Sequence, residues 1–187
     1  MLILASNSPR RKELLRLITS DFEVIPAEVD ESVPEGVKTT EAAEFLAVKK
    51  CLDVAKKYPT ATVIGSDTVV IKGGELLGKP TDAADAARML KLLSDSTHSV
   101  YTGVCISDRG RTLSFTERTD VTFANIPERL LDAYIKSGSP LDKAGGYGIQ
   151  DDLVRLFLTR IDGNYDSVMG LPVAALYKKL KSYTDGN

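Results

Sequence analysis

The chain has 187 residues, 24 of them Lys or Arg against 26 Asp or Glu, with a single His and a formal net charge of −2; 43% of positions are hydrophobic and 27% charged. This balance excludes a generally basic nucleic-acid binder, a disordered chain and a disulfide-stapled mini-protein, and predicts one sizeable core without staples. The lone imidazole of His98 rules out any metal site built on two histidines, and no apolar run reaches the length of a membrane span.

Cys51 and Cys105 are too far apart in sequence for a CxxC pair, which points to structural thiols in a reducing compartment. Met1–Ala5 is too short for the core of a signal peptide, and charge follows at Arg10. Together these predict a cytoplasmic protein. Without repeats, low-complexity tracts or a long Pro/Gly/Ser linker, one domain over residues 1–187 is expected.

Leu2–Ser6 reads as a short apolar strand and Pro9–Ile18 as a helix whose core face is Leu14, Leu15, Leu17 and Ile18. Phe22–Pro26 is a second strand, followed by an acidic loop through Val29-Asp30-Glu31. Thr40–Tyr58 is a long amphipathic helix with Ala42, Phe45, Val48, Leu52 and Ala55 at helical spacing. Ala61–Ile71 is a β-branched strand interrupted at Gly65-Ser66-Asp67, and Lys72-Gly73-Gly74-Glu75 supplies hairpin chemistry. Asp82–Ser94 is a helix capped by Asp82.

Ser99–Ala124 alternates like a β-hairpin turning at Asp108-Arg109-Gly110. Pro127–Ser137 is a helix closed by Gly138. Val154–Ile161 reads as a strand, Asp162-Gly163-Asn164 as a turn and Leu171–Tyr183 as the closing helix. Strands alternate with helices but hairpins are present, so the class is α/β with a mixed sheet.

Chemistry concentrates in four segments. In Ser6-Asn7-Ser8-Pro9-Arg10-Arg11-Lys12, Ser8 suits an N-cap and Pro9 the first helical residue. Three cations then occupy a first turn whose free N–H groups and dipole are already positive, each costing about 0.3–1 kcal/mol at low salt. A bound polyanion such as phosphate would reverse that sign; pairing with Glu13 or loop carboxylates in solvent is the plainer alternative.

The second segment, Gly65-Ser66-Asp67-Thr68-Val69-Val70, sets a carboxylate in an apolar strand. Asp67 could hold a divalent cation or orient a water there, or simply cap a turn or pair with a nearby Lys. Glu28, Asp30 and Glu31 could add a second metal ligand, or be a solvated face.

Third, in Leu77-Gly78-Lys79-Pro80, Pro80 holds Lys79 extended at an element boundary, within reach of a phosphate or of solvent. In the long helix Lys49 falls within the apolar arc and Lys50 at its edge, where helical lysines usually snorkel. Fourth, Asp142-Lys143-Ala144-Gly145-Gly146-Tyr147-Gly148-Ile149-Gln150 permits close backbone approach to a planar ligand, or is an ordinary tight loop. The Gln150 carboxamide offers a donor and an acceptor that suit the imide edge of uracil or thymine.

In order along the chain, Leu4-Ala5-Ser6-x-Ser8-Pro9-Arg10-Arg11, Gly65-Ser66-Asp67-Thr68-Val69-Val70, Leu77-Gly78-Lys79-Pro80, Asp142-Lys143-Ala144-Gly145-x-Tyr147-Gly148-Ile149-Gln150 and Val168-x-Gly170-Leu171-Pro172 together resemble the Maf family of nucleoside triphosphate pyrophosphatases, named for an effect on septum formation. The resemblance runs from residue 2 to about residue 172. It implies a two-lobed α/β fold with a mixed central sheet, related to the inosine triphosphatase group (Ham1), with the active site in the cleft between lobes.

The implied reaction is hydrolysis of a nucleoside triphosphate to monophosphate and pyrophosphate with Mg²⁺ or Mn²⁺. Matched motif by motif, Asp67 is the catalytic carboxylate and shares the metal with Glu31. Arg10, Thr68 and Gln150 match positions that choose the base. Ser8, Arg11, Lys50 and Lys79 line the phosphate site, Lys50 being selected by the pattern Leu46-Ala47-x-x-Lys50.

Tyr147-Gly148-Ile149-Gln150 resembles the branch acting on dTTP and UTP, and modified pyrimidine nucleotides fit the same description. Asp151-Asp152 follows where that branch is expected to carry a glycine-containing stretch, which sets two extra carboxylates beside the base pocket. The implied partner is the nucleotide, with no stable nucleic-acid binding, no membrane and a homodimer as an option. The competing readings are the same reaction on a modified purine nucleotide, a nucleotidyltransferase, and a nucleotide-binding regulator of cell division whose hydrolysis is incidental.

Overall fold

The computed structural model of the chain describes residues 1–184. Its elements are β1 (Leu2–Leu4), α1 (Pro9–Arg16), β2 (Glu23–Val24), α2 (Ala42–Lys57), β3 (Thr62–Lys72), β4 (Glu75–Leu77), α3 (Ala83–Leu93), β5 (Ser96–Asp108), β6 (Arg111–Phe123), α4 (Glu128–Lys136), β7 (Leu158–Asp162), α5 (Tyr165–Met169) and α6 (Val173–Thr184). The strands form a mixed sheet in the order β2-β1-β3-β5-β6-β7, with β4 on β3. Strand β1 is parallel to β2 (Ile3 opposite Glu23) and to β3 (Ile3 opposite Val63), whereas β4 on β3 and β7 on β6 are antiparallel. The α/β class with a mixed central sheet is therefore observed.

The described chain divides into two compact units, the first being residues 1–68, 102–117 and 166–184 and the second residues 69–101 and 118–165. In the first unit both sheet faces are buried, and side chains alternate between them with the strand period. Ile3, Val63 and Cys105 pack with Ala47, Cys51 and Val54 of α2. Leu4, Ile64, Val104 and Ile106 pack instead with Leu14 and Leu15 of α1 and Leu176 of α6. Cys51 and Cys105 are buried free thiols, in keeping with their expected structural role.

Helix α2 lies unusually close to the strands. A Cβ on Gly65 would fall 2.5 Å from the Ala47 carbonyl oxygen, and one on Gly103 would fall 2.4 Å from the Ala43 carbonyl. Only a hydrogen fits at either point, so two glycines fix the depth of the helix. Its start is also tied by Glu44, whose carboxylate accepts hydrogen bonds from Ser114 and Thr116, each at 2.6 Å.

The second unit is built around an aromatic knot. His98, Phe123, Tyr147 and Phe157 meet edge to face with ring centroids 4.9–5.3 Å apart, and His98 Nε2 lies 2.7 Å from the Tyr147 hydroxyl. Gly145 adopts φ 69° and donates its N–H to the Gly78 carbonyl at 3.0 Å, bringing the loop after α4 onto the segment after β4.

Several expectations shift at element ends. Helix α1 stops at Arg16, because the Leu17 and Ile18 amides turn back to Leu14 and Leu15 in a tighter final turn; Leu17 is 71% exposed and leaves the core face. Strand β3 runs unbroken through Gly65-Ser66-Asp67, since side-chain partners satisfy both polar residues. Val154–Leu156, expected as strand, is a 3₁₀ turn: the Val154 amide bonds the Asp151 carbonyl and the Phe157 amide bonds the Val154 carbonyl, so β7 starts only at Leu158. The closing helix starts after Pro172, and the five-residue α5 lay below the length at which periodicity speaks.

The β5–β6 turn and the Asp82 cap stand as expected. Arg109 (φ 46°) and Gly110 (φ 83°) take the left-handed conformation of a hairpin turn, and Asp82 accepts from the Asp85 amide at 2.8 Å.

His98 gives a pH signature. Burial, helped by the positive charge of Lys72 and opposed by Asp120, pushes its imidazole down to about 3. An unfolded histidine titrates near pH ~6.5, so across that window the unfolded chain binds a proton that the folded chain refuses. Stability should fall as pH drops from about 6.5 toward 3, by up to about 1.4 kcal/mol per pH unit from this group. Urea titrations over pH 4.5–7.5, compared with His98→Gln, check it; equal slopes in both proteins would remove His98 as the source.

Candidate active site

The first unit gathers most of the expected site residues. Ser8 is extended (φ −61°, ψ 119°) and caps α1, its hydroxyl 3.5 Å from the Arg11 amide. Pro9 opens the helix, and no acidic residue sits in its first turn. The positive helix end is therefore answered by no carboxylate of its own.

Arg11 departs from a purely ligand-facing role. Its Nε donates to the Gly170 carbonyl at 2.9 Å, Nη1 to Ser6 Oγ and Nη2 to Thr68 Oγ1, each at 3.3 Å. A guanidinium carries five N–H donors, so some remain over. Burial pushes Arg11 down from its ordinary value, Asp67 and Glu31 pull it up, and Arg10 pushes it down again. Those influences place two carboxylates and a second guanidinium in its field.

The segment before α6 docks on the same group. Ser66 Oγ lies 2.9 Å from both the Gly170 and Gly103 carbonyls, and Thr102 Oγ1 donates to the Ser167 carbonyl at 2.6 Å while lying 2.9 Å from Thr68 Oγ1. Gly170 is required twice: its φ is 120°, and an added Cβ would sit 3.2 Å from Arg11 Nε. Ser6, Ser66, Thr102 and Gly170 escaped the sequence reasoning as site-builders. The only signal was the position of Ser6, Ser66 and Gly170 inside recognised motifs; Thr102 had none.

At the centre lies a buried ion pair. Lys50 Nζ stands 2.6 Å from Asp67 Oδ1 and 2.9 Å from Glu31 Oε2; the Lys50 and Asp67 side chains are about one-tenth exposed, that of Glu31 half exposed. Of the open options for Asp67, pairing with a lysine is realised. The two helix lysines also part company. Lys49 Nζ donates to the Asp30 carbonyl at 2.5 Å, pinning the loop whose next residue, Glu31, meets Lys50. Asp30 is itself turned toward the Ser32 amide and hydroxyl, which with Lys49 hold its carboxyl below the usual range.

Lys79 and Gln150 belong to the second unit. Lys79 is exposed between Gly78 and Pro80. Gln150 sits in the turn closed by the Asp151 amide on the Gly148 carbonyl at 2.9 Å, with its Oε1 buried and lacking a partner among the described residues. The two carboxylates that follow Gln150 have different surroundings. Asp151 is engaged by Tyr134 and Ser139 at 2.6 and 2.7 Å, while Asp152 is 96% exposed and pairs with Arg155 at 3.7 Å.

A family model described as "Maf-like protein" matches residues 1–183. The chain belongs to the Maf-like protein family. It is similar to the "dTTP/UTP pyrophosphatase" of Bacillus cytotoxicus, with 46% identity over 98% of this chain and 96% of that one. To the protein of the same name from Bacillus mycoides it is 45% identical, over 97% of this chain and 95% of that one. A solved structure, "The structure of the Staphylococcus aureus Ham1 protein", aligns at 18% identity over 66% of this chain and 71% of that chain with a TM-score of 0.45, too distant to carry an argument.

The two neighbouring arginines should respond in opposite ways. Arg11→Lys loses the fork that joins α1, β3 and Gly170 and should cost about 2 kcal/mol of stability. Arg10→Ala removes a like charge near Arg11 and should leave stability unchanged within about 0.5 kcal/mol or raise it. Paired urea melts decide it; an Arg10→Ala loss as large as that of Arg11→Lys would assign both arginines to the scaffold.

Proposed function

We propose that this protein hydrolyses dTTP and UTP to the monophosphate and pyrophosphate, the activity carried in the names of its Bacillus relatives. The observation that carries the reading is the buried Lys50–Asp67 pair, joined by Glu31 in the field of Arg11. That arrangement combines a carboxylate able to take a proton with cations able to hold a polyphosphate.

Ser8, Arg10, Arg11 and the free amides of α1 bind the phosphates, with Lys50 and Lys79 supplying further positive charge. Thr68, Arg10 and Gln150 take part in choosing the base. The buried, unpartnered Oε1 of Gln150 calls for an N–H donor. The ring N3–H of uracil or thymine is such a donor, whereas N3 of cytosine is an acceptor.

In the proposed reaction a water oxygen bonds to the α-phosphorus as the bond to the bridging oxygen breaks in line, and pyrophosphate leaves. Asp67 accepts the water's proton on Oδ2, since Oδ1 is engaged by Lys50.

The donor set fits a hard divalent cation. Glu31 and Asp67 aim oxygens at one cationic atom, now Lys50 Nζ. No cluster of three or more His, Cys, Asp or Glu ligands occurs among the described residues. Two carboxylates completed by substrate phosphates and water match the habit of Mg²⁺ or Mn²⁺. The cation would supply charge neutralisation and a more acidic bound water. Among the described residues no helix is long and apolar enough to cross a membrane. Light scattering distinguishes a monomer from the homodimer that the family resemblance leaves as an option.

Pyrophosphate release from dTTP and UTP with Mg²⁺, against CTP and GTP, tests the reading directly. Asp67→Asn should lower turnover at least about 100-fold while nucleotide binding survives; unchanged turnover would take Asp67 out of the chemistry. A separate test concerns the cation. Because the Lys50 ammonium stands where both carboxylates point, Lys50→Met should tighten Mn²⁺ binding to the nucleotide-free protein roughly tenfold, read by electron paramagnetic resonance. Equal or weaker binding would mean that Glu31 and Asp67 are not the cation's ligands.

A further inference from the structure

The turn that carries Gln150 is held at both ends by one phenol. Tyr134, on α4 and buried, accepts the Gly148 N–H on its hydroxyl oxygen at 2.9 Å and donates its own proton to Asp151 Oδ2 at 2.6 Å. The same carboxylate oxygen accepts from Ser139 Oγ at 2.7 Å. Gly148 and Asp151 are also the first and last residues of the turn, joined by the Asp151 amide on the Gly148 carbonyl. Gln150 lies between these anchors.

One cation stands among the carboxylates of the network. Lys143, buried, donates to the Ser139 carbonyl and to Asp142 Oδ1, each at 2.6 Å, and lies 3.9 Å from Asp151 Oδ2. There is no slack: a Cβ on Gly148 would fall 2.6 Å from Lys143 Cε and 2.8 Å from Asp151 Oδ2. Burial, and after it the Asp151 carboxylate, push the Tyr134 phenol upward, which keeps it a proton donor.

From this geometry we infer that Asp151, acting with Tyr134, is a positioning residue that aims the Gln150 carboxamide and thereby sets base selectivity without touching the nucleotide. The inference rests on the reading of Gln150 as the base-selecting residue. A carboxamide aimed at an imide needs its donor and acceptor in register, and a free amide rotor or a slack turn would present them the wrong way round as readily as the right one. The unpartnered Oε1 shows that Gln150 is not held by bonds of its own at that atom. Its aim is set by packing and by the backbone of the turn that carries it.

The test uses the full chain with Asp151→Ala, Asp151→Asn, Tyr134→Phe and the double variant Tyr134→Phe/Asp151→Ala. For Asp151→Ala and Tyr134→Phe, KM for UTP should rise about tenfold, kcat should stay within about threefold, and the preference for UTP over CTP in kcat/KM should fall about tenfold. The double variant should be no worse than either single one, because both cut the same link. Asp151→Asn, whose amide oxygen can still accept from Tyr134 and Ser139, should restore most of the preference.

Equal losses on UTP and CTP, a fall in kcat as large as the rise in KM, or additive effects in the double variant would overturn the inference. If Asp151→Ala does not fold, Tyr134→Phe and Asp151→Asn decide. The side-chain ¹⁵N–¹H signals of Gln150 give a readout independent of turnover: one sharp pair in the wild type, broadened or doubled in Asp151→Ala and Tyr134→Phe. Should the wild type hydrolyse neither UTP nor dTTP, the proposed function fails by itself. Unchanged Gln150 signals in the variants would overturn the positioning role whatever the activity.

Discussion

A lysine and an aspartate taken out of water 2.6 Å apart constrain everything else in the first unit. Neither charge is tolerable there alone, and their mutual attraction offsets the lost hydration only if the geometry is held. Lys50 comes from α2 and Asp67 from β3, so the depth of the helix over the strand sets the length of the ion pair. Gly65 and Gly103 fix that depth, since any side chain at either would drive the helix outward. Glu44, anchored on Ser114 and Thr116, holds one end of the helix while Lys50 engages β3 farther along. Two strand glycines thus serve the charge chemistry as much as the packing.

The crowded cations at the start of α1 have a double explanation. Part of the positive charge is structural: the Arg11 fork ties the helix to β3 and to the Gly170 turn through one carbonyl and two hydroxyls. Asp67 and Glu31 supply the opposing field. Arg11 is thereby compensated inside the protein: the expected pairing with a loop carboxylate is met by Glu31, and Asp67, which the sequence did not offer as a partner, adds to it. The motif around Gly170 gains its meaning from the same contact, because a residue with a side chain there would meet the guanidinium it is meant to receive.

Much of this fold is written in local pattern. The Lys72–Glu75 hairpin, the Asp82 cap and the left-handed Arg109–Gly110 turn are each decided by a few neighbouring residues, and each was legible. What stayed hidden depends on partners distant in sequence. Asp67 looked like a break in a strand because its lysine lies 17 positions earlier on another element. Lys49 and Lys50 could not be told apart by periodicity, since their difference lies in which part of the acidic loop each one reaches. Val154–Leu156 read as strand because apolar composition does not reveal that nearby carbonyls claim its amides.

The same logic explains why Asp151 misled a reading made along the chain. Beside a glutamine proposed to select the base, an extra carboxylate looks like a change of ligand. In three dimensions it is turned toward Tyr134 and Ser139, and its charge is met by Lys143. Glu31, Lys50, Asp67 and the start of α1 all lie in the first unit, whereas Gln150 and its supporting network lie in the second. Each set is braced by contacts within its own unit: Lys50 on Asp67 and Glu31 in the first, Tyr134 and Ser139 on Asp151 in the second. Asp151 bears on the proposed choice of base only through the Gln150 turn, since the other residues proposed for that choice, Arg10 and Thr68, belong to the first unit.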